Sequence, residues 1–128
     1  MRSSLRAVGA VTLAIALAAC GGTGTATTAP ALTTAGTTCH DSTGTTVVAT
    51  GVSDNTWDSP VNGKVGDVIT WTNGDGVPHR VATDDGTCKM GANIPTGGGT
   101  ASLVFDVAGT YAFHCAIHSS MHGTIVIS

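Results

Sequence analysis

The sequence predicts an all-β domain, a Greek-key β-sandwich or barrel, and three observations predict it. Runs rich in β-branched and aromatic residues recur at 45–50, 68–72, 79–83, 101–107, 110–115 and 124–127. Turn signals separate them, namely Asn62-Gly63, Asn73-Gly74-Asp75-Gly76, Asp85-Gly86 and Gly97-Gly98-Gly99, at the spacing expected of a sandwich or barrel. No stretch beyond the first twenty or so residues sustains a helical period. All eight acidic residues are Asp, a turn former and poor helix former, and the chain carries 18 glycines.

The chain opens on Met1, Arg2 and Arg6, followed by an apolar run over 7–19 that ends in Leu17-Ala18-Ala19-Cys20. Basic residues before a short apolar stretch read as an export signal over 1–19, and the stretch is too short for the ~20 residues of a bilayer-spanning helix. Small residues before a cysteine resemble the bacterial lipobox, in which the signal is removed and the new N-terminal cysteine receives a lipid on its sulfur. Cys20 is therefore expected to carry a lipid anchor, the alternative being plain cleavage after Ala19. The expected location is the outer face of a bacterial cytoplasmic membrane, or the periplasm or cell surface as a lipoprotein. Loss of Arg2 and Arg6 with the signal leaves Lys64, Arg80 and Lys89 against eight aspartates, so the net charge falls from −3 to −5. With no basic patch, nucleic acid is not an expected partner, and membrane contact is expected from lipid rather than charge.

Residues 20–44 are mostly Thr, Ala and Gly, with a single proline, Pro30. They read as a flexible tether, reaching on the order of 25 Å as a random coil. The folded unit is then 45–128, one domain, small for a self-sufficient core unless a metal and a disulfide assist it. Within it, the run at 79–83 starts at His79, directly after a Gly-rich turn and Pro78, which restricts the backbone of Val77. In the run at 110–115, Tyr111, Phe113 and Cys115 share one face and are expected to pack the core, while His114 points to the other.

The last eighteen residues carry the chemistry. Cys115, His118 and Met121 sit in one loop between two β runs. A soft thiolate, an imidazole and a weak thioether are the donors that copper accepts in a trigonal site with a long axial bond. The missing imidazole is offered upstream by His79. Zinc also accepts two imidazoles and a thiolate, but a thioether fourth ligand suits copper better.

These segments resemble the cupredoxins, the blue copper family, from about Val61 to the C-terminus. The markers are Gly66-Asp67-Val68-Ile69-Thr70-Trp71-Thr72-Asn73, then Pro78-His79, then Ala108-Gly109-Thr110-Tyr111, and CxxHxxM over Cys115, His118 and Met121, followed by Gly123. The resemblance implies a cupredoxin-type fold and one copper ion, with His79 and His118 as imidazole ligands, Cys115 as thiolate and Met121 as axial ligand. It implies a one-electron carrier rather than an enzyme, working with redox protein partners and expected to be a monomer. The competing reading is a copper chaperone or storage protein. Many cupredoxins link their two ligand loops through an Asn after the first His and a Ser or Thr after the Cys. Here those positions are Arg80 and Ala116, which leaves the backbone N–H of Arg80 as a donor to the Cys115 sulfur.

With Cys20 assigned to lipid and Cys115 to metal, Cys39 and Cys88 remain. In an oxidising compartment a bridge between them is the economical reading, the alternative being two free thiols. His122 is expected at the rim of the site in a solvated role, and His40 beside the tether is uninformative.

Overall fold

The computed structural model describes residues 38–128. The expected signal, Cys20 and most of the expected tether lie outside them. The described residues form nine strands: β1 (Cys39–Ser42), β2 (Val48–Ser53), β3 (Thr56–Trp57), β4 (Val61–Gly63), β5 (Val68–Asn73), β6 (Val81–Thr83), β7 (Thr100–Phe105), β8 (Gly109–Cys115) and β9 (His122–Ile127). They make two sheets, one in the order β1-β7-β5-β2-β3 and the other β4-β9-β8-β6. The all-β class expected from the sequence is what is found.

Two pairings are parallel, β2 with β5 and β4 with β9, and the rest are antiparallel. Between the sheets lie Ile69, Trp71, Leu103, Phe105, Phe113 and Ile125, all fully buried. Trp71 and Trp57 both meet Phe113, with ring centroids 6.4 and 5.3 Å away. Phe113 faces Gly123 across the β8–β9 ladder. A Cβ at Gly123 would lie 2.5 Å from Phe113 Cε1, so the glycine is what lets β9 pass under the ring.

The structure moves several expected boundaries. The folded unit does not start at 45: β1 lies inside the segment read as tether, because Cys39 to Ser42 complete the edge of a sheet against β7. Asn62-Gly63, read as a turn, belongs to β4, whose parallel partner β9 is remote in sequence. Tyr111 is only partly buried. It packs on Phe105 with ring centroids 5.0 Å apart, and its hydroxyl donates to the Val107 carbonyl at 2.8 Å.

The Cys39–Cys88 bridge is present and closes a separation of 49 residues. It ties β1 to the segment that follows β6, which returns along β6 through Met90 N–H to Val81 O at 3.0 Å.

Candidate metal centre

One end of the sandwich gathers the chemistry. β6 and β8 are antiparallel with Val81 opposite Cys115, so the 73–80 connection into β6 and the 115–121 loop out of β8 emerge together. Pairing of β7 with β5 in antiparallel register brings 95–99 to the same end. The parallel pairing of β2 with β5, Val52 beside Asn73, adds the β2–β3 turn.

The local sequence explains how each donor is held. His79 is fully buried and pairs with Ile94 through N–H to O at 3.3 Å and, in return, Ile94 N–H to His79 O at 2.7 Å. Asn73, also fully buried, holds the loop in shape, its amide donating to Val77 O at 2.8 Å and Ile94 O at 3.2 Å. In the second loop, Cys115 N–H donates to Met121 O at 3.0 Å and Met121 N–H to His118 O at 3.1 Å. The seven residues 115–121, from the last residue of β8 to the one before β9, thus form a closed ring.

Three donor atoms converge. Cys115 Sγ lies 3.7 Å from His79 Nδ1 and 3.6 Å from His118 Nδ1, and the two Nδ1 atoms are 3.3 Å apart. Bonds of about 2.0–2.3 Å to nitrogen and sulfur around a trigonal centre require donors about 3.5–3.8 Å apart, and all three separations fall within about 0.2 Å of that range. The set meets that requirement, and no other group of three or more His, Cys, Asp or Glu side chains among the described residues converges this closely. Cys115 and His79 are buried and His118 is half-buried. Met121 is buried at the C-terminal end of the same loop. A thiolate and two imidazoles, shielded on all but one side and with a thioether on the same loop, fit copper.

The surroundings are made largely of backbone. Arg80 N–H reaches Cys115 Sγ at 3.4 Å, as the sequence leads one to expect, and Ala116 N–H donates to Arg80 O at 2.8 Å. The two loops are therefore linked without the side-chain pair whose absence the sequence shows. Trp57 stands edge-on to His79 with ring centroids 5.7 Å apart. Asp75 Oδ2 lies 2.9 Å from His79 Nε2. Desolvation by the surrounding loop acts to raise the Asp75 pKa, but bonds from Asn55 N–H, His79 and Asp54 N–H outweigh it and hold the carboxyl below its ordinary value.

Sequence reasoning misses Asp75 and Trp57 as neighbours of the site. Asp75 reads as a turn former inside Asn73-Gly74-Asp75-Gly76, and Trp57 lies on a two-residue strand with no signal of its own. His114 and His122 stay out of the donor set. They face each other across β8 and β9 with ring centroids 6.2 Å apart, and His114 Nδ1 is 2.6 Å from Asp84 Oδ1. His40 pairs with Asp106 at 2.9 Å on the exposed side of β1.

A two-sheet β-sandwich with a His-Cys-His donor set, two of its three members buried, at one end defines a mononuclear copper protein. Residues 57–128 match the model of the copper-binding proteins of the plastocyanin/azurin family. The chain belongs to that family, the cupredoxins, whose members are electron-transfer copper proteins. It is 35% identical over 80 residues to plastocyanin of Scenedesmus fuscus, covering 54% of this chain and 82% of that one. Against amicyanin of Paracoccus denitrificans it is 37% identical over 67 residues, covering 50% of this chain and about half, 51%, of the relative. Among solved structures, a mutant amicyanin in its reduced Cu(I) form at pH 4 superposes with a TM-score of 0.59. That match is 25% identical and covers 71% of this chain and 99% of the other.

Proposed function

We propose that the chain is a one-electron carrier whose single copper is held by His79, Cys115, His118 and Met121. The observation that carries this reading is the convergence of three donor atoms at trigonal spacing. Copper held there supplies a Cu(I)/Cu(II) couple, one electron per cycle. The protein's part is to keep the donors fixed and water away. Burial of His79 and Cys115 and the closed 115–121 ring support a site that does not rearrange between redox states. His118 alone of the three is half-exposed; Ile117, its chain neighbour, is 44% exposed and Val77, in the loop that leads to His79, is 40% exposed, and we read them as an apolar collar through which a redox protein partner approaches.

The competing chaperone or storage reading asks for surplus soft donors at the surface. Met90, the remaining methionine of the described residues, is 1% exposed and packed in the core, which favours the carrier. Export, a lipid anchor at Cys20 and a monomeric state complete the proposal, so that the carrier works at the outer face of a membrane. The test is stoichiometric loading of the metal-free protein with Cu(II). One equivalent is expected to give an intense visible sulfur-to-copper band and to resist a chelator. Cys115→Ser is expected to lose the band, and its retention there would overturn the ligand assignment.

A further inference from the structure

We propose that Asp75 is a positioning residue for His79, and that through it the β2–β3 turn selects which imidazole nitrogen is presented to the metal. The inference rests on the ligand reading above and adds a residue that reading does not use.

An imidazole has two nitrogens, and in the neutral ring one donates while the other accepts. A carboxylate only accepts, so the 2.9 Å approach of Asp75 Oδ2 to His79 Nε2 puts the hydrogen on Nε2. Nδ1 is then left with its lone pair, and Nδ1 is the atom 3.7 Å from Cys115 Sγ and 3.3 Å from His118 Nδ1. His79 is fully buried and the Asp75 side chain only 11% exposed, so water does not compete for either partner. The donor geometry is thereby set in the protein itself.

The carboxylate is in turn fixed from a distance. Its Oδ1 accepts Asp54 N–H at 2.6 Å and its Oδ2 accepts Asn55 N–H at 3.0 Å. Asp54 and Asn55 are the two central residues of the β2–β3 hairpin, with φ of 51° and 56°. Two successive left-handed residues make the turn that suits a two-residue hairpin, and their adjacent N–H groups both serve the same carboxylate. Asp75 N–H donates to Asn73 Oδ1 at 2.8 Å, and Asp75 O accepts Gly97 N–H at 3.1 Å. A turn-forming Asp ordinarily bonds the backbone two residues on. Asp75 instead reaches back 20 and 21 residues in sequence, which the parallel β2–β5 pairing makes possible. A carboxylate that orients a metal-bound imidazole also raises the basicity of the ligand.

The experiment uses Asp75→Asn, Asp75→Ala and Asp75→Glu in the full chain, read in two ways. In metal-free protein, nitrogen NMR of His79 is expected to show the Nε2–H tautomer alone in the wild type and a mixture in Asp75→Ala. In copper-loaded protein, Asp75→Ala is expected to lose about 10–100-fold in Cu(II) affinity. Asp75→Asn is expected to shift the reduction potential upward, because a negative charge that favours Cu(II) is gone, and Asp75→Glu to return it part of the way. Asp75→Asn keeps oxygen and size, so it decides the matter if Asp75→Ala does not fold. An unchanged tautomer together with an unchanged potential in folded Asp75→Asn would overturn the proposal. His79→Ala separates the two readings: loss of the visible band there with silent Asp75 variants removes only the role of Asp75, whereas retention of the band removes His79 as a ligand.

Discussion

Met121 and His118 differ in what each can do to the metal. Met121 is buried, with its backbone bonded to both Cys115 and His118, so replacing its side chain leaves the ring of the loop closed. Met121→Leu is accordingly expected to keep copper and to raise the reduction potential, because a weak donor that favours Cu(II) is removed; voltammetry reads the sign, and a lowered potential would remove Met121 from the axial role. A second expectation concerns acid. Asp85 accepts the Thr83 hydroxyl at 2.6 Å and the Thr87 N–H and hydroxyl at 3.0 and 2.8 Å, and the Thr83 bond, followed by those from Thr87, lowers its pKa below the ordinary 3.8. A group depressed in the folded state contributes stability above its unfolded pKa and loses it as pH falls through the folded value. The thermal midpoint of the metal-free protein is therefore expected to drop below about pH 4, and Asp85→Asn to flatten that drop. At this scale the sequence is informative where candidate donors are local: Cys115 and His118, which the fold brings together, stand out by spacing, with Met121 proposed alongside them. Asp75 does not, because its role depends on residues 20 and 21 positions away.

Strands whose partners are near in sequence, or whose apolar content is high, are legible from residue pattern alone. β5, β7, β8 and β9 fall within a few residues of their expected limits. β1, β3 and β4 are short, and each becomes a strand only because a neighbour supplies the other half of its ladder. Asn62-Gly63 has the composition of a turn and is overridden by parallel pairing with Val126 and Ile127. The bridge from β1 is the strongest case. Four residues, Cys-His-Asp-Ser, have little to bury, yet the strand is pinned by Cys88 and by Gly91 N–H on Asp41 at 2.9 Å. Replacing Cys39 and Cys88 together by Ala is expected to destabilise the fold by about 2–5 kcal/mol, measured by denaturant unfolding. The visible spectrum of the copper-loaded variant is expected to be unchanged, because the bridge does not touch the donor set.

Seen whole, the described domain is polar in its use of space: the convergent His79, Cys115 and His118 and the β2–β3 turn share one end of the sandwich. On the proposed function, electron transfer through that end would depend on close apposition of an apolar surface to the edge of His118. Ile117→Lys is expected to slow exchange with a redox partner while leaving the optical spectrum alone, and equal rates in stopped-flow would place the exit elsewhere. The link between the two ligand loops, Arg80 N–H to Cys115 Sγ and Ala116 N–H to Arg80 O, takes only main-chain groups from positions 80 and 116. No codon change short of proline deletes an amide hydrogen. Positions 80 and 116 are thus open to drift, and a lineage can alter charge and bulk beside its metal by single substitutions without ever passing through an ancestor whose clasp was broken.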